Sequence, residues 1–246
     1  VKQRIAIAAV ALAMTGGLVA VQAAQPPRTA QWTQLANLPD WSGVWEIDWR
    51  NTRQSPPRPQ MKLTPEYQQR LDAYRKAQQQ GENLQTEGAN CVPPGLPGIM
   101  SQPYPIEFLY QPGKIVMLLE AYMQFRHIYT DGRKHPEDPD LTFHGHSIGH
   151  WEKDTLVVDS VGFTESTLLA GGVPHSDKLR IIERIRKVSP EWMEIETTLI
   201  DPVVLAEPYT STISYRHLDD ELREYICLEN NRDGADEKGR PTMNLE

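Results

Sequence analysis

Six of the seven histidines fall between His127 and His175, so any imidazole chemistry this chain performs is concentrated in one stretch. Asp131-Gly132-Arg133-Lys134-His135-Pro136 gathers an acid, a guanidinium and an imidazole within six residues. A carboxylate beside a histidine orients it and raises its basicity, and an arginine can hold an anionic group bidentately. That combination suits general acid–base catalysis. In this reading His135 is the base or acid and Asp131 orients it. Arg126 and Arg133 stabilise developing negative charge, and His175, in Pro174-His175-Ser176, is a second proton carrier. The plainer alternative is a turn closed by Asp131 with His135 exposed.

His144, His146 and His150 sit at i, i+2 and i+6, on one face of the segment if it is extended. Three imidazoles on one face would suit a transition metal such as copper, zinc or iron. The alternative is polar strand positions. Gly145-His146-Ser147-Ile148-Gly149 matches G-x-S-x-G, but a nucleophile elbow needs a strand before it and a helix after it. Here β-rich Thr155-Leu156-Val157-Val158 follows, so Ser147 is expected on a strand, facing the inside of a barrel. Arg126, Asp159 and Glu183 each alternate with apolar residues. Charges on apolar faces are costly unless paired. They are read either as buried ion pairs or as a polar patch that holds a ligand. In the second case Ser147, Asp159, Glu183 and Trp151 bind substrate.

The elements that position these residues are mostly strands. Trp41–Trp49 is a first strand with aromatic anchors. Thr64-Pro65-Glu66 starts a helix that should run to about Gln79 and lie on the surface. Ile106–Gln111, Ile115–Tyr122 and Met123–Thr130 follow, separated by turn signals. Ser147–Trp151 with Thr155–Val161, Leu179–Val188 with Trp192–Ile200, and Thr210–His217 with Leu222–Leu228 read as hairpins. A meander of this size hides its edges by closing. The expected fold is mainly β, an antiparallel lipocalin-like β-barrel with one N-terminal surface helix. The expected organisation is a signal peptide over 1–23, a tether over 24–40, one barrel domain over 41–229 and a flexible tail over 230–246.

The signal peptide rests on Lys2 and Arg4, the apolar run Ile5–Met14, and the cleavage-type Val21-Gln22-Ala23. It predicts a periplasmic or secreted protein that leaves the membrane after cleavage. Export would put Cys91 and Cys227, the only two cysteines, where one disulfide can form. The chain has 33 acidic against 25 basic residues, a net charge of −8, which argues against a nucleic-acid partner.

Three strings resemble a large group of exported bacterial hypothetical proteins. They are Asp131-Gly132-Arg133-x-His135-Pro136, the run from Gly145-His146-Ser147 through Trp151-Glu152-x-Asp154 to Val158-Asp159, and Pro174-His175-Ser176-x-x-Leu179-Arg180-x-x-Glu183-Arg184. Lys153 stands where the resemblance implies a glycine. The resemblance implies export and carries no mechanism. The expectation is therefore a barrel that binds a small apolar or aromatic molecule. It would transform that molecule by His/Asp/Arg acid–base chemistry of isomerase, lyase or cyclase type, without a cofactor, since no nucleotide fingerprint is present. The alternatives are a histidine-cluster metal protein and a non-catalytic carrier of hydrophobic ligands.

Overall fold

The computed structural model describes residues 28–49, 59–80, 91–169, 172–227, 233–235 and 241–243. The expected signal peptide lies outside them. Nine strands close into a barrel. In chain order they are β1 (Val44–Ile47), β2 (Ile106–Gln111), β3 (Lys114–Leu119), β4 (Gln124–Tyr129), β5 (His146–Glu152) and β6 (Thr155–Val161). After a small hairpin of β7 (Leu168–Leu169) and β8 (Val173–Pro174) come β9 (Arg180–Ser189), β10 (Trp192–Ile200) and β11 (Tyr209–Leu218). Around the barrel the order is β1, β11, β10, β9, β6, β5, β4, β3, β2.

Every neighbouring pair is antiparallel except β4 and β5, which run parallel through Ile128↔Ser147 and Tyr129↔Ile148. A closed ring with an odd number of strands cannot alternate direction all the way round. The expectation of a wholly antiparallel barrel is corrected at this one seam.

Side-chain alternation sorts the strands cleanly. On β9, Ile181, Glu183 and Ile185 are buried inside, while Arg180, Arg184 and Arg186 are exposed. The outer arginines pair with Asp159, Glu152 and Glu194. On β6, Leu156, Val158 and Ser160 point in. Asp159 therefore faces outward with Val157 and Val161, and the apolar face assigned to it is the outer one. Met117, Ile128, Leu156, Val158, Ile181, Ile185 and Met193 are all 0% exposed and fill the middle of the barrel. The interior is a packed core, unlike the central ligand chamber of a lipocalin.

One end is plugged by aromatics. Trp41 packs on Phe108 and Trp151, with ring centroids 5.1 and 5.0 Å apart. Its carbonyl accepts from Trp45 Nε1, and Tyr110 Oη donates to Pro39 O. Gly43, at φ 92°, lets the chain enter β1 here, since a Cβ would lie 2.2 Å from His217 Nε2. Trp151 thus belongs to the plug. The opposite end is covered by a 3₁₀ turn over Gly98–Ser101, where Tyr215 Oη donates to Met100 O. Helix α2 (Pro65–Gln79) packs nearby through Tyr67 and Leu71, and Thr64 N donates to Val204 O. Its start at Pro65 and end at Gln79 match the sequence expectation.

A short helix, α1 (Arg28–Leu35), occupies part of the segment read as a tether. Likewise β12 (Asp233–Ala235) pairs with β13 (Pro241–Met243) inside the segment read as a tail. The strand expected over Leu222–Leu228 is absent as far as Cys227, because β1 already holds the free edge of β11. Instead Arg223 N donates to Glu120, and Tyr225 packs on Tyr104 and Tyr122. Cys91 and Cys227 form a disulfide, which fits an oxidising compartment. Among the described residues no helix is long and apolar enough to cross a membrane.

Candidate functional site

The parallel seam makes a cleft. β4 and β5 share only two paired positions, so most of β4 faces the incoming segment 139–146 across a gap. Gly145, at φ 63°, lets that segment press against β6, where a Cβ would lie 2.5 Å from Val161 O. Thr142 is held on the same side by its N–H to Gly162 O. The cleft has a volume of about 430 Å³, walled by Phe125, His127, Tyr129, Phe143, His144 and His146, with Arg126 and Ser147 also lining it.

Arg126 sits inside the barrel, as its alternation with Ile128 predicts. It is 1% exposed and donates to Ser147 Oγ at 3.1 Å, Ser160 Oγ at 2.8 Å and the Glu183 carboxylate. The two serine hydroxyls are 2.8 Å apart and hydrogen-bonded to each other. Among the described residues Arg126 Nη1 reaches only the Met117 thioether, at 3.8 Å, a weak acceptor. The charge of Arg126 is thus balanced by Glu183, while one nitrogen keeps donor capacity.

His144 stands beside this network. Both of its ring nitrogens are buried with no hydrogen-bond partner among the described residues. Burial, and then the Arg126 charge, push its pKa down to about 4, so at neutral pH it is an uncharged imidazole with one donor and one acceptor.

The outer rim carries a second arrangement. His135 Nδ1 and His146 Nδ1 are 2.9 Å apart. His135 Nε2 faces Asp159 Oδ2 at 3.7 Å, and Arg180 clamps that carboxylate with bonds of 2.8 and 2.6 Å. His146 stacks on Tyr129, centroids 5.4 Å apart. Its pKa is lowered by burial and by the neighbouring His135 and Arg133.

The predicted acid–base group is therefore regrouped. Asp131 is bonded to Arg133 at 2.6 Å, which holds its carboxyl below the usual range, and Arg133 lies 3.9 Å over the Tyr129 ring. The carboxylate facing His135 is Asp159. Arg126 is inside and pairs with Glu183. His175 is buried elsewhere, its nitrogens bonded to Thr167 Oγ1 at 2.7 Å and Ser176 O at 2.9 Å. Next to it Ser176 is tied to the buried Asp201.

The three-imidazole metal reading is also corrected. His150 is exposed and contacts Glu152, whereas His146 contacts His135. Residues four apart on a strand share a face but stand about 13 Å apart. Gly145 further breaks the alternation between His144 and His146. Among the described residues no group of three or more metal-binding side chains is assembled.

Sequence reading passed over the aromatic wall, although its signal was present. Phe125, His127 and Tyr129 alternate along β4, and their rings follow one another at 5.3 and 6.1 Å. The unpartnered state of His144 had no sequence signal. Comparison with protein-family models and with curated proteins finds no match to this chain.

Proposed function

We propose that this chain is an exported, periplasmic or secreted protein that binds a small, largely apolar or aromatic molecule in the β4 cleft. It transforms that molecule by histidine-centred acid–base chemistry of isomerase, lyase or cyclase type. The observation that carries this reading is His144: a neutral imidazole with both nitrogens unpartnered, in an aromatic-walled cleft beside Arg126. Leaving a buried polar atom unpaired costs about 1–3 kcal/mol, and such groups recur at binding and catalytic sites. A ligand with one donor and one acceptor, such as a phenol or hydroxyketone, satisfies both nitrogens. The aromatic rings supply the apolar contact.

The test is a calorimetric titration with a panel of phenols, hydroxyketones and aromatic carboxylates, followed by mass analysis of the bound fraction. Binding that weakens about tenfold or more in His144→Leu supports the cleft. Equal binding by both proteins, or none, refutes it. Binding without any conversion moves the protein to the carrier reading.

A further inference from the structure

We infer that Asp159, His135 and His146 form a directional proton relay whose working end is His146 Nε2, the base of the cleft. The inference rests on the cleft reading and names the group that takes the proton there.

The direction follows from hydrogen-bond logic. Two imidazole nitrogens 2.9 Å apart need one N–H and one lone pair between them. With both rings neutral, two arrangements satisfy this. If His135 donates, a neutral His135 turns its Nε2 lone pair toward the Asp159 carboxylate, and the two repel. If His146 donates, His135 Nε2 carries the proton and points it at Asp159 Oδ2, 3.7 Å away. His135 Nε2 is buried and makes no hydrogen bond among the described residues, so the arrangement that turns its N–H rather than its lone pair toward the Asp159 carboxylate is favoured. Arg180 fixes the carboxylate bidentately and keeps it aimed. His146 then has its proton on Nδ1 and a free lone pair on Nε2, in a ring that lines the cleft.

The surroundings suit a neutral base. Tyr129 stacks on His146 from β4, Arg133 lies over Tyr129, and Arg126 and His144 share the cleft. Burial, and then the neighbouring His135 and Arg133, lower the pKa of His146 and so disfavour its protonation before reaction. In the step itself a ligand O–H or activated C–H bond breaks, its electron pair stays on the ligand, and the proton forms a bond to His146 Nε2. The resulting positive charge is shared through Nδ1 with His135 and balanced by Asp159. His135 and Asp159 are positioning residues, and of the three relay members only His146 would touch the ligand.

Histidine-labelled full-length protein tests this without a known substrate. Long-range ¹H–¹⁵N correlation spectra at neutral pH report each ring's tautomer. The expected result is His135 protonated on Nε2 and His146 on Nδ1. His146 protonated on Nε2 overturns the relay. In Asp159→Ala both rings should lose their single tautomer, and unchanged tautomers there also overturn it. Adding phenol to the same sample separates the two ideas. Shifts at the His144 nitrogens support the cleft. Their absence refutes the cleft, while the tautomers still decide the relay.

Discussion

The Arg126 guanidinium and the Glu183 carboxylate meet inside the barrel with both side chains 1% exposed. Both charges are almost wholly withdrawn from water, so each depends on the other. Arg126→Leu should cost about 3–5 kcal/mol in urea denaturation, because it strands Glu183. The double replacement Arg126→Met with Glu183→Leu should recover much of that loss. A single variant as stable as the parent would show that the pair is not what holds β4 to β9.

Acid stability should depend on His144. Its folded pKa, about 4, lies below the ordinary histidine value. The unfolded chain therefore binds the extra proton first as pH falls. The contribution is fully present above about pH 6.5 and is lost progressively down to about pH 4. Between pH 7.5 and 5 it amounts to about 2 kcal/mol. His144→Leu should flatten this part of the pH–stability curve, and an unchanged slope would contradict a buried neutral imidazole.

The disulfide spans a sequence separation of 136 residues. Closing so long a loop in the unfolded chain is worth roughly 3–5 kcal/mol. Cys91→Ala with Cys227→Ser should lower the denaturation midpoint accordingly, with the slope showing whether the unfolded state has expanded.

Trp41 is 0% exposed and closes one barrel end. Trp41→Ala should destabilise by about 3–5 kcal/mol. Trp41→Phe should cost less, since its indole Nε1 has no partner to lose among the described residues.

Lys153 takes the left-handed conformation, φ 60°, in the turn between β5 and β6. Its Cβ is unfavourable there, so Lys153→Gly should stabilise by about 0.5–1 kcal/mol, read as a small rise in Tm. This is the position at which the motif resemblance implies a glycine.

Strand positions were legible because alternation is a local property. The inward set Ile181, Glu183, Ile185 can be read straight from residue order, and so can Arg126 with Ile128. Asp159 does share a face with Val157 and Val161, but residue order cannot say that this face is the outer one, because β-branching serves a strand on either side. Leu222–Leu228 looked like a strand, but whether an edge is free depends on β1, far away in sequence. The same holds at the site. Asp131 is close to His135 in sequence and bonds Arg133, whereas Asp159 is remote and faces the imidazole across β5. Local pattern picked out the chemical groups, and the tertiary register chose their partners.

Closure of the barrel joins the beginning of the described chain to its far side, with Trp45 opposite His217. A folding intermediate can build the β2–β3–β4 and β9–β10–β11 meanders early, since their contacts are local. The β1 staple can be added only after residues 209–218 have been synthesised. Until β1 is in place between them, the edges of β11 and β2 are open templates for a neighbouring chain, which makes the barrel-closing step the point of greatest exposure to aggregation.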